Sequence, residues 1–200
     1  MSNYKNFIKD FPIRCGEILN EYKKHIQKNE REVTHMLSIA SASITIPYAR
    51  LTEKKNPSLD KKKCKHAVSK FDDLRGKLFL KSHLWEMTSK SWKYGLIKEE
   101  EIELGPDTWE QNVLCLRNDI TVKEFLSIIR NALAHGSIFT RNNNQNNEII
   151  NIMFLSKEKD NQNSYTGNYD LLMVSPDDFN EFLVKWIEFL ETLNIPSEVD

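Results

Sequence analysis

Arg130, Asn131 and His135 stand in the run RNALAHG (Arg130–Gly136), and together their side chains can handle a phosphodiester. Imidazole takes or gives a proton near neutral pH. His135 can therefore remove the proton of a ribose 2′-hydroxyl or protonate a leaving 5′-oxygen. A guanidinium grips phosphate through two parallel N–H donors, so Arg130 can hold the scissile group and stabilise charge developing on it. No acidic cluster accompanies them, which suits RNA cleavage without a divalent metal and with a 2′,3′-cyclic phosphate product. One imidazole cannot readily be base and acid in the same turnover. Two copies meeting across a symmetric dimer would supply both. Spacing alone leaves a structural or capping role open for the same residues.

The element that must position them is a helix, and its two ends are written in the sequence. Thr121-Val122-Lys123-Glu124 fits a capping box, flanked by Ile120 and Phe125 at the positions of a hydrophobic staple. Gly136 stands where a left-handed residue closes a carboxyl end. A helix from Val122 to His135 follows. Val122, Phe125, Leu126, Ile129, Ala132 and Leu133 share its apolar face. Ser127, Arg130, Asn131, Ala134 and His135 form the opposite stripe, small or polar throughout, where a merely solvated face would carry Lys and Glu. Asn131 and His135 lie about 40° apart around the axis, so the amide can orient the imidazole; Arg130 lies about 140° from His135 and must sweep back. Small side chains at Ser127 and Ala134 let a second backbone come close, as at a dimer contact.

The remaining periodicity predicts a mainly α fold with a small antiparallel β appendage after the motif helix. Ile18, Leu19, Tyr22 and Ile26 recur at helical steps, and His35–Leu51 reads as a buried helix that Pro47 should kink or end after Ile46. Asn56-Pro57-Ser58 breaks the chain, and Ser58 can cap a lysine-rich helix. Phe71–Leu96 suggests a long helix bent near Gly76, with loops at Gly95 and Gly105-Pro106. Residues 107–118 are ambiguous, with Trp109 as a core anchor. Ser137–Thr140, Ile149–Leu155 and Tyr169–Val174 read as strands. Ser175-Pro176-Asp177-Asp178 opens a last helix. The expected organisation is one domain over 1–200. It comprises a helical extension at 1–30, a helical core at 30–136 ending in the motif helix, a sheet at 137–175 and a terminal helix at 176–193.

Forty per cent hydrophobic and 28 % charged residues describe an ordinary globular chain. No apolar run approaches the ~18 residues of a membrane span, and the amino terminus lacks a signal-peptide pattern, so the cytoplasm is expected. Residues 1–95 hold 20 Lys+Arg and 10 Asp+Glu, leaving 8 and 19 for 96–200. A basic first half can attract a nucleic-acid backbone, or the two halves can simply neutralise each other. Lys61, Lys62, Lys63, Lys65 and Arg141 are the candidates for phosphate contact, with Arg75 weaker; a solvated lysine face is the plainer alternative. Cys15, Cys64 and Cys115 form no Cys-x-x-Cys pair, and His25, His35, His66 and His83 lack partners at metal-ligand spacing. No phosphate-cradling glycine loop is present, so neither an NTPase nor a cofactor is expected. Trp85, Trp92, Tyr94, Trp109 and Trp186 are read as core.

With these residues in view, the chain resembles the HEPN superfamily, helical domains whose ribonuclease members carry Arg, a polar residue, a short spacer and His on one helix. Arg130, Asn131 and His135 match that pattern. IPYARL (Ile46–Leu51), IMFLS (Ile152–Ser156) and the last helix are similar to a plasmid- and defence-associated bacterial subgroup, over roughly residues 30–193. The resemblance implies a helical bundle, a homodimer joining two motifs in one cleft, and metal-independent RNA cleavage in toxin–antitoxin or phage-defence settings. An antitoxin or a defence-system protein is then the implied partner. Some relatives are controlled by modification of a Tyr shortly after the motif His; Gly136-Ser137-Ile138-Phe139 holds none. Other members are inactive as nucleases and bind a partner, nucleotide or RNA through the same face.

Overall fold

A computed structural model describes residues 7–25, 32–52, 64–85, 91–143, 148–160, 162 and 164–195. Helix α1 (Phe7–His25) packs on α2 (Glu32–Thr52) and on the last helix, α6 (Pro176–Glu191). Helix α3 (Lys65–Arg75) and the motif helix α5 (Val122–His135) complete the bundle around α2. Its core draws Ile8, Ile44, Phe71, Phe125, Leu126, Ile129, Phe182 and Trp186 together, all fully buried. The tryptophans and tyrosine read as core are placed so: Trp92, Tyr94, Trp109 and Trp186 are buried and Trp85 is half-buried. Ser58, Lys61, Lys62 and Lys63 lie outside the described residues.

Helix α2 does not stop at Ile46. It continues through Pro47 to Thr52, so of the two expected effects of the proline, a kink or an end, the end does not occur. A proline inside a helix removes the N–H that would bond the carbonyl four residues earlier, here that of Ser43. The indole Nε1 of Trp186 donates to that carbonyl at 2.8 Å, so a side chain from α6 replaces the missing backbone donor. Burial on the α6 side does what local sequence cannot show.

A five-stranded antiparallel sheet covers one flank of the bundle, in the order β2-β1-β5-β4-β3. Strands β3 (Ile138–Asn142), β4 (Ile149–Lys159) and β5 (Tyr165–Val174) follow the motif helix, as expected, though β4 and β5 run further than their apolar stretches. Strands β1 (Lys93–Lys98) and β2 (Val113–Cys115) precede it, where the sequence suggested the end of a long helix, a loop and an ambiguous stretch. The described residues hold no such long helix: α3 ends at Arg75 and a short 3-10 turn, Phe79–Lys81, follows. Trp92, just before β1, and Tyr94 within it alternate with Lys93 and Gly95, a period of two that aromatic bulk disguises. Gly95 sits so close to β2 that a Cβ there would stand 2.6 Å from the Asn112 carbonyl oxygen.

The sheet has two apolar faces. Ile152, Phe154, Leu172 and Val174 join the helical core. Met153, Leu155, Leu171 and Met173 face the other way, onto Ile97, Val113 and Trp109 of the short helix α4 (Pro106–Trp109). Trp109 anchors this second core, donating from its indole to the Glu101 carbonyl at 3.0 Å.

Candidate active site at the end of the motif helix

The ends of α5 form as the sequence dictates. Thr121 Oγ1 accepts from the Glu124 amide at 3.2 Å, and Glu124 Oε2 accepts from the Thr121 amide at 2.8 Å. At the other end Gly136 takes φ 69° and ψ 18°, the left-handed region that favours glycine. The Ser137 amide then returns to the Ala132 carbonyl at 2.9 Å, a six-to-one closure that satisfies an orphan helix carbonyl. Strand β3 starts one residue later, so His135 stands on a turn with no slack.

Arg130 Nη1 donates to Asn131 Oδ1 at 2.9 Å, and Asn131 Nδ2 donates to Ser156 Oγ on β4 at 3.2 Å. The amide therefore holds the guanidinium, not the imidazole it was expected to orient. The His135 side chain is exposed and makes no hydrogen bond among the described residues. Arg75, Arg117 and Arg141 each pair with a carboxylate, of Asp72, Asp119 and Glu110 respectively. Arg130 forms no ion pair among the described residues, and a neutral amide is its hydrogen-bond partner. Its positive charge is oriented but not neutralised, as a phosphate-binding group requires.

The rest of the stripe divides. Ala134 is exposed, whereas Ser127 is half-buried, with its Oγ donating to the Lys123 carbonyl at 2.7 Å and lying 2.8 Å from the Tyr48 hydroxyl of α2. One small residue thus faces outward and the other locks α5 to α2. Arg141, on β3, is half-buried in its ion pair with Glu110 and is not gathered with Arg130. Lys65 is exposed at the start of α3.

Sequence reading assigned no task to Ser156 or to Tyr48. A signal existed for Ser156: it follows Ile152 and Phe154 at steps of two, so a polar residue occupies a core-facing register and needs a partner. Its cross-strand neighbour is Asp170, which accepts from the Tyr94 hydroxyl at 2.7 Å. Burial raises the Asp170 carboxyl above its ordinary range; the Tyr94 bond and Arg117 work against this, while Glu158 and Glu124 add to it. Burial, then the bond to Asp170, push the Tyr94 phenol upward too. Among the described residues no group of three His, Cys, Asp or Glu is assembled to hold a metal, and no helix is long and apolar enough to cross a membrane.

A helical bundle backed by an antiparallel sheet, with Arg-Asn-x3-His closing one helix, is the kind of molecule these elements define. The chain matches the family model described as HEPN pEK499 p136 over residues 1–197, and it belongs to that family. No curated protein and no solved structure matches it.

Proposed function

We propose that the chain is a metal-independent endoribonuclease in which Arg130 and His135 act on the scissile phosphodiester and Asn131 holds Arg130. The carrying observation is that an un-neutralised guanidinium and an exposed imidazole stand on the same capped helix end. In the reaction the ribose 2′-oxygen bonds to phosphorus as its proton leaves to one His135, and the bond from phosphorus to the 5′-oxygen breaks as another His135 protonates that oxygen. The products are a 2′,3′-cyclic phosphate and a 5′-hydroxyl. The two imidazoles come from two copies of the chain joined in a homodimer near exposed Ala134. Arg130 binds the phosphate and stabilises the charge gathering on its oxygens.

Because Arg141 is committed to Glu110, phosphate binding at the cleavage point rests on Arg130, while Lys61, Lys62, Lys63 and Lys65 add positive charge that attracts the RNA backbone. The chain works as one unit, since its larger core cluster draws on α1, α2, α3, α5 and α6 alike. Membership of the HEPN family supports a role with RNA, and a cytoplasmic toxin or defence effector is the setting that fits such an activity.

The test is RNA incubated with purified chain in EDTA and the product ends identified. Wild type should cleave and leave cyclic phosphate ends. Arg130→Ala and His135→Ala should each lose ~100-fold or more in rate, the first through lost charge stabilisation and the second through lost proton transfer. Cleavage that survives both substitutions places the chemistry elsewhere. Wild type that binds RNA without cutting it, and loses binding in both variants, identifies an inactive binding module.

A further inference from the structure

Strand β4 grips the end of α5 with two successive residues. The Leu155 amide donates to the Ser137 carbonyl at 3.0 Å, just beyond His135, and Ser156 Oγ accepts from Asn131 at 3.2 Å, one turn before it. Ser156 is 6 % exposed, so its hydroxyl is a buried polar group whose partner in the structure is the Asn131 amide.

That bond fixes where the amide stands. A guanidinium has only donors, so Asn131 must turn its oxygen toward Arg130. The amide is planar, and its NH2 is then directed away and needs an acceptor. Ser156 Oγ is that acceptor. A hydroxyl can also donate, so Arg130 sets which end of the amide faces it, and Ser156 holds the far end in place. Without that hold the amide is free to swing away from Arg130, and the guanidinium loses its guide.

We propose that Ser156 is a positioning residue of the Arg130–His135 site, acting on Arg130 through Asn131, and that the sheet serves as the template which holds the motif in register. The proposal rests on the ribonuclease reading for its effect on rate, but not for the hydrogen-bond relay itself.

Ser156→Ala removes one buried oxygen and leaves the strand intact. In the RNA cleavage assay it should lower kcat about 10- to 100-fold, as a small misplacement of a catalytic group does, with KM changed much less. In an Asn131→Ala background the same substitution should cost nothing further, because its route of action is already gone. A wild-type kcat in Ser156→Ala, or losses that multiply in the double variant, would overturn the proposal. A second readout is independent of cleavage. The Asn131 side-chain NH2 signals in a 15N–1H spectrum should shift in Ser156→Ala and exchange faster with water. Unchanged signals would overturn the relay. Shifted signals in a chain whose wild type does not cut RNA would uphold the relay and sink the ribonuclease reading alone.

Discussion

Replacing Trp186 by Phe strips the Ser43 carbonyl of the donor that compensates for Pro47. The indole is fully buried and its Nε1 lies 2.8 Å from that oxygen. A buried carbonyl left without a partner costs about 1–3 kcal/mol. The smaller ring leaves a gap worth about 1 kcal/mol more. For a chain of this size each kcal/mol moves the melting temperature by roughly 2–4 °C, so Trp186→Phe should lower it by about 5–15 °C. Size and hydrogen bonding are separated by a second substitution. Pro47→Ala restores an amide that points along the helix at the Ser43 carbonyl. In the Trp186→Phe background that amide has an orphan to satisfy and should recover about 1 kcal/mol relative to its effect in wild type. The change in unfolded-chain entropy on losing proline is common to both backgrounds and cancels in the cycle. Urea unfolding of the four proteins measures the coupling. A coupling indistinguishable from zero would mean that the indole contributes only its bulk, and the account of why α2 passes through Pro47 would fall.

Two glycines should respond for different reasons. Gly136→Ala introduces a Cβ that meets nothing within 4 Å, so its cost is backbone strain at φ 69°, about 1 kcal/mol, and a fall of roughly 2–4 °C by calorimetry. Gly95→Ala drives a Cβ to 2.6 Å from the Asn112 carbonyl oxygen and should cost about 2–3 kcal/mol by urea unfolding; the reverse ranking would contradict the close β1–β2 approach. Asp170 predicts a pH effect. Its folded carboxyl binds a proton more tightly than in the unfolded chain, so the stability this adds is complete below the ordinary value of 3.8 and is lost as pH rises through the raised folded value. The stability of wild type minus that of Asp170→Asn should therefore fall as pH rises across the acid range. A difference that grows with pH would refute it.

The motif helix was legible in the sequence to the residue because its signals are local. A capping box, an apolar face and a left-handed glycine act within a few residues of one another, and the observed helix spans Val122–His135. The last helix was legible for the same reason, with Ser175 Oγ accepting from the Asp178 amide at 3.3 Å. Arg130, Asn131 and His135 could be singled out because residues at fixed helical offsets keep their relative directions whatever surrounds them. Three things waited for the tertiary structure. Strands β1 and β2 depend on pairing with each other and, for β1, with the distant β5, so a stretch rich in aromatics read as helix. The course of α2 past Pro47 depends on a tryptophan 139 positions away. The partner of Asn131 proved to be Arg130 on one side and Ser156 on the other, a choice made by where β4 lies and not by helical spacing. Local capping and periodicity placed Arg130, Asn131 and His135 on their helix; long-range packing determined what holds them and which of them is left exposed.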